Sequence, residues 1–200
     1  MSPTKPEIII IPGAFCPLKY SVADLKAHGY SVHGVELETV GRRDAPPDEG
    51  KDVVLVPHAY GGVPACESAK GLAKSVRQKE GKGGYLFMTD LAKAAALNLS
   101  DLSPEEGLVW ANKWTQHSAA SFGQPLTYAA YKDIPASWVF IEQDKSILPD
   151  LANKMIGNME AVMGGRKVER FPVGDVGHCI NMSQPATFAK VVRKALGNTV

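Results

Sequence analysis

Val54-Leu55-Val56-Pro57-His58-Ala59-Tyr60-Gly61-Gly62 is the stretch on which the fold of this chain turns. The apolar run Val53 to Val56 has the length and β-branched content of a strand buried on both faces. Small residues come next, and a helical pattern begins near Val63. A strand that turns sharply into a helix displays one side chain at the crest of the turn, and here that residue is Ala59. A methyl group can neither attack a carbonyl nor carry a proton, so fold and chemistry are argued separately.

On either side of this stretch, strands and helices alternate. Glu7 to Ile11 is an apolar run ending at Pro12-Gly13, which suits a central parallel strand. A helix is expected over 20–28, stopped by Gly29, and a second strand over 31–37. The helix expected over 62–80 carries a face of small residues (Ala65, Cys66, Ala69, Ala73) that packs closely on a sheet. Further strands are expected over 85–89, 138–142 and 167–171, and further helices over 150–163 and 184–196. This order predicts an α/β chain built on a doubly wound, mostly parallel sheet, as a single domain over residues 1–200.

Two segments break the rhythm. Residues 38–52 join two strands without a helical face, although a parallel crossover normally needs a helix. Residues 91–135 are rich in Ala, Leu and Trp and read as a short helical lid over the carboxyl ends of the strands. Within it, Ser103-Pro104-Glu105-Glu106 spells a helix start, with Ser103 as N-cap, Pro104 at the first position and Glu106 at the third.

Composition excludes several classes. The balance of 22 Lys and Arg against 21 Asp and Glu gives a net charge of +1, which argues against a nucleic-acid footprint or a polybasic membrane patch. No apolar run approaches the length of a membrane span, and the first residues lack the apolar core of a signal peptide. Cys16, Cys66 and Cys179 have neither disulfide-framework nor zinc-site spacing, so no metal or cofactor is expected and the cytoplasm is the expected address. Nothing in the sequence sets the oligomeric state, and a homodimer is compatible with it.

Chemistry is expected in the loops at the strand ends. Acyl transfer requires a nucleophile, a histidine base, an acid to orient it and two backbone donors for the oxyanion. Asp144 lies just past the strand expected over 138–142, in Glu142-Gln143-Asp144-Lys145-Ser146, and His178 lies in Gly174-Asp175-Val176-Gly177-His178. Position 59, Asp144 and His178 thus stand in the chain order nucleophile, acid, histidine. The Ala14 amide, after the tight turn at Gly13, and the Tyr60 amide, at a helix N-terminus, are the candidate oxyanion donors. Each feature alone is a common cap, turn or core residue; their joint order carries the signal. Cys16 and Cys179 fall near these segments, but Cys179 adjoins His178 on extended chain and is a poor partner for it.

With these motifs the chain resembles the small α/β-hydrolase family that includes plant methyl-ester esterases and hydroxynitrile lyases. It is more similar still to fungal and bacterial members reading Val-Pro-Gly-Ala-Trp…His-Ser-Tyr-Gly-Gly…Asp…Gly-His-Ser. The likeness covers 8–35, 52–91 and 125–196. It implies a triad frame of position 59, Asp144 and His178, with Ala14 and Tyr60 lining an oxyanion hole. Three departures stand out: Ala59 in place of serine, the missing helix between the second and third strands, and the short lid. Asp90 also stands where relatives tend to be apolar, as a polar contact or a helix cap.

Ala59 has two readings. In one, a nucleophile has been removed, by engineering or by natural loss, from an otherwise complete site for a small apolar ester or lactone. In the other, the frame serves a lyase or cyclase with His178 as general base, or a pseudo-hydrolase that only binds. Phe15, Trp110, Trp114, Phe122 and Tyr128 fall in the oxyanion and lid segments with few charges among them, pointing to an apolar ester, lactone or polyketide-like ligand. The tryptophans equally suit burial of the lid helix. His58 and His117 read as structural or surface residues, and His28 and His33 as flanking a turn.

Overall fold

The computed structural model describes residues 5–11, 13, 22–34, 53–62, 85–118 and 126–198. The chain divides into two compact units, one formed by 1–88 with 114–130 and the other by 89–113 with 131–200.

In the first unit, β1 (Glu7–Ile11) lies between β2 (Val32–Gly34) and β3 (Val53–Pro57), parallel to both. Ile8, Ile10 and Ile11 are buried, as expected of the middle strand of a parallel set. The connection from β1 to β2 runs through α1 (Val22–Ala27), which buries Leu25 and stops at Gly29 in the left-handed conformation (φ 77°). The expected helix 62–80 and the connection 38–52 lie outside the described residues, apart from Gly62.

The strand expected over 85–89 is corrected by the structure. Only Tyr85–Leu86 (β4) is extended, and it pairs antiparallel with His117–Ser118 (β5), a strand absent from the sequence reading. Two residues carry too little pattern for periodicity to register. His117, opposite Leu86, is fully buried, which settles it as a core residue rather than a surface one.

The segment read as a lid, 91–135, is divided between the units: 91–113 and 131–135 belong to the second and 114–130 to the first. The second unit's helices over that segment are α2 (Leu91–Asn98) and α3 (Pro104–Ala111), which pack on each other with Gly107 lying against Ala95 and Leu99. Asp90 caps α2 by accepting from the Lys93 amide at 2.9 Å, so its role is that of a cap. Ser103 and Glu106 form the capping box that their spacing predicts.

β6 (Ser137–Ile141) and β7 (Glu169–Val173) pair in parallel, joined through α4 (Pro149–Glu160). β7 begins and ends two residues later than the sequence pattern suggested. Pro172 is tolerated within it, opposite Phe140. Ile156, Met163 and Val168 pack with Trp138 and Phe140 beneath α4. A short helix missing from the sequence reading, α5 (Ile180–Ser183), precedes the closing helix α6 (Pro185–Ala195). No helix among the described residues is long and apolar enough to cross a membrane.

Candidate active site

β6 and β7 are in register from Ser137 opposite Glu169 to Ile141 opposite Val173, and the Glu142 amide extends the ladder by donating to the Val173 carbonyl at 3.0 Å. Parallel strands in register end side by side, so their outgoing loops emerge as neighbours. That places Asp144 and His178 together although 34 residues separate them. The His178 Nδ1 lies 2.8 Å from Asp144 Oδ2, and both side chains are buried. The other carboxylate oxygen, Oδ1, accepts from the backbone amides of Ser146 at 2.8 Å and Ile147 at 2.9 Å.

These contacts fix the protonation pattern. Burial alone would raise the Asp144 carboxyl, but the hydrogen bond and charge of His178, with the two amides, outweigh it and hold the group below the ordinary carboxylate range. An ionised carboxylate only accepts, so the Nδ1 facing it carries the proton and Nε2 is the basic nitrogen. This is the arrangement of an oriented general base.

The histidine loop is shaped by two backbone features. Asp175 has φ 54°, a left-handed conformation that costs a non-glycine residue about 1–2 kcal/mol. Its carbonyl accepts from Gln184 Nε2 at 2.9 Å, and its Oδ1 from Gln143 Nε2 at 3.4 Å. Gly177 lies against the turn between α2 and α3, where an added Cβ would sit 2.5 Å from Asp101 Oδ1 and 2.9 Å from the Ser100 amide nitrogen. Only glycine admits so close an approach.

Position 59 belongs to the first unit and has its own geometry. The His58 amide donates to the Ile11 carbonyl at 3.0 Å, and the Gly61 amide donates back to the His58 carbonyl at 2.8 Å, closing a single 3-10 turn over Ala59–Gly61. At its head Ala59 is exposed with φ 47°. Gly13, at the end of β1, packs so tightly on this turn that a Cβ there would lie 2.8 Å from His58 Nδ1 and 3.3 Å from Ala59 Cβ. The turn at the end of β3 is thus sharp and left-handed, and the residue it exposes carries only a methyl group.

Ala14, Phe15, Cys16, Cys66 and Phe122 lie outside the described residues, and Tyr60 comes directly after Ala59 in the turn. Trp110 is half-buried on α3 with the Lys113 ammonium 3.9 Å from its ring centroid. Trp114 and Tyr128 are half-buried in the first unit. Cys179 is almost wholly buried at the start of α5. Among the described residues no three His, Cys, Asp or Glu side chains gather as a metal ion requires. Sequence reasoning missed Asn98, Ser146 and Gln184, polar residues at helix ends and in loops whose local pattern says only "cap" or "turn".

No protein-family model matches the chain. Two fungal proteins match it along almost their whole length. The probable hydrolase R7 of a Phoma species is 29% identical over 248 residues, covering 97% of this chain and 99% of the relative. The α/β hydrolase nvfD of Aspergillus novofumigatus is 24% identical over 255 residues, covering 98% of each. Among solved structures, polyneuridine aldehyde esterase superposes with a TM-score of 0.63 at 16% identity, over 96% of this chain and 100% of the other. A tomato methylketone synthase I variant complexed with β-ketoheptanoate gives 0.64 at 15% identity, over 98% and 99%. This chain has the α/β-hydrolase fold. The Phoma match runs over 248 positions against 200 residues here, so dozens of the relative's positions have no counterpart. The connection 38–52, which lacks a helical face, is one place where the sequence pattern itself is short of structure.

Proposed function

We propose that this α/β hydrolase is a proton-transfer catalyst for a small apolar ester, lactone or polyketide-like ligand, working without a covalent acyl-enzyme. The observation that carries the reading is the buried 2.8 Å contact between Asp144 and His178 in a chain whose position 59 has no nucleophilic atom. The Nε2 of His178 removes a proton from the substrate or from an attacking water, the imidazolium formed is stabilised by ionised Asp144, and the proton returns to the leaving group or the product carbanion. None of this needs a hydroxyl at position 59. Ala14, Tyr60, Phe15, Trp110, Trp114, Phe122 and Tyr128 enter the reading as ligand-facing residues on sequence position. A methylketone synthase holding β-ketoheptanoate and an esterase among the fold neighbours support the view that one scaffold serves both acyl transfer and other carbonyl chemistry.

A second reading, ester or lactone hydrolysis silenced at position 59, is favoured by one feature. The left-handed φ of 47° at Ala59 is a strain that a presented serine requires and an idle methyl does not. One experiment separates the two. The parent, Ala59→Ser and His178→Ala are compared on a panel of aryl esters, lactones and β-keto esters. Turnover by the parent that Ala59→Ser leaves within a few-fold and His178→Ala abolishes is the expected result. A gain of about 10³-fold or more on Ala59→Ser, from a parent with only residual activity, would replace the proposal with the silenced hydrolase.

A further inference from the structure

Asn98, the last residue of α2, touches both loops that carry the Asp144–His178 pair. Its carbonyl is one of the last-turn acceptors that a helix leaves without an internal donor, and it accepts from the Cys179 amide at 2.9 Å. Its side-chain Oδ1 accepts from the Ser146 hydroxyl at 3.0 Å. Its Nδ2 donates to the Ala94 carbonyl one turn back at 2.8 Å, which fixes the rotamer so that Oδ1 faces Ser146. One residue thus grips the chain two positions after Asp144 and directly after His178. The same α2–α3 turn supports the histidine loop further along. Gly177 rests on Ser100 and Asp101, and Gln184 Nε2 bridges Asp101 Oδ2 at 3.1 Å and the Asp175 carbonyl.

We propose that Asn98 is a positioning residue for the Asp144–His178 pair, setting the separation of the two loops and so the quality of the carboxylate–imidazole hydrogen bond. The proposal rests on the reading of that pair as the working acid–base group, but its test does not depend on turnover. Asp144 Oδ1 is occupied by the Ser146 and Ile147 amides, so the position of residue 146 decides where Oδ2 points. Tying residue 146 to the same asparagine whose carbonyl holds residue 179 makes the two loops move together. A leucine, or a serine too short to reach, would leave the acid loop to its own turn.

Asn112 is a built-in control. It caps α3, one position past the last helical residue, and makes the same back-bond four residues back, Nδ2 to the Leu108 carbonyl at 2.7 Å, but it is exposed and outside both loops.

The test is the solvent exchange rate of the His178 Nδ1 proton, read by NMR on the ¹⁵N-labelled full chain and assigned by its loss in His178→Gln. Asn98→Ala and Ser146→Ala break one hydrogen bond from its two ends. Each is expected to accelerate exchange about three- to tenfold, the range a single net hydrogen bond commands. The double variant is expected to exchange no faster than the faster single variant. Asn112→Ala is expected to leave the rate unchanged. Unaltered exchange in folded Asn98→Ala or Ser146→Ala overturns the proposal, as does equal acceleration in Asn112→Ala. Should Asn98→Ala fail to fold, Ser146→Ala, in an exposed loop position, decides alone. If His178→Gln leaves turnover intact, the proposed function falls while the exchange result stands.

Discussion

Replacing Gly177 by alanine tests how tightly the histidine loop is seated. The new methyl would lie 2.5 Å from Asp101 Oδ1, 2.9 Å from the Ser100 nitrogen and 3.2 Å from the Asn98 oxygen, where ordinary contact begins near 3.4 Å. The carboxylate alone cannot resolve the clash by rotating away. Its other oxygen is bound to Gln184, and two of the three obstacles are backbone atoms at the junction of α2 and α3. The loop must therefore lift by about half an ångström, stretching the bond from the Cys179 amide to Asn98. Overpacking against backbone costs about 1–3 kcal/mol, and the lack of an escape places this case in the upper half, about 2–3 kcal/mol. For a chain of 200 residues that is a fall in Tm of about 5–10 °C. Thermal unfolding followed by circular dichroism measures it, and the His178 Nδ1 proton reports whether the pair is disturbed too. A Tm within about 1 °C of the parent would refute the reasoning, because it would mean that the loop has slack the close contacts deny.

Gly157 is the opposite case, an exposed position inside α4 with open space around it, so Gly157→Ala should raise stability by about 0.5–1 kcal/mol; a lowered Tm would contradict it. Ser103→Ala removes the capping box of α3 and should cost about 1 kcal/mol, with faster amide exchange confined to the first turn of that helix. Acid stability should fall in two steps. Burial holds His117 below its ordinary value of 6.5, so its neutral form stabilises the fold fully above about 6.5 and that contribution drains as the pH falls below it. Asp144, held below the ordinary 3.8, contributes fully above that value and loses its contribution as the pH falls through its lower folded value. Urea midpoints across pH 7 to 2 should show both, with Asp144→Asn flattening only the lower step; loss of the upper step as well would place the assignment in error.

What was legible in the sequence was whatever is repeated or ordered along the chain. The isoleucine run of β1, the Val-rich β3 and the capping box at Ser103 are strong local signals, and each is present as an element. The order of Asp144 and His178 after successive strands is a long-range signal, and the register of β6 with β7, not sequence spacing, brings those two together. β4 was legible only as the start of the longer strand expected over 85–89, and β5 could not be seen, being two residues held by pairing rather than pattern. Asn98 was illegible for another reason. An asparagine at a helix end satisfies local rules by itself, so nothing in Leu97-Asn98-Leu99 hints that its three polar atoms reach Ala94, Ser146 and Cys179.

The most telling residue is still Ala59. Alanine in the left-handed region carries about 1–2 kcal/mol of strain, and it gains nothing locally in return, since glycine would sit there freely and an ordinary turn would avoid the conformation. The strain persists because the surroundings over-determine it. The His58 amide is fixed to Ile11, the Gly61 amide to the His58 carbonyl, and Gly13 leaves the turn no room to relax toward β1. A turn held this firmly does not depend on the side chain it displays. Exchanging a hydroxyl for hydrogen at residue 59 therefore changes chemistry without changing fold, and the converse exchange should as well. Ala59→Ser should fold with a Tm within about 1 °C of the parent, as expected for a small exposed substitution. That makes the activity comparison between the two a comparison of chemistry alone. A serine variant that unfolds early would show instead that the turn is tuned to alanine, and that the methyl group is a selected feature of the site.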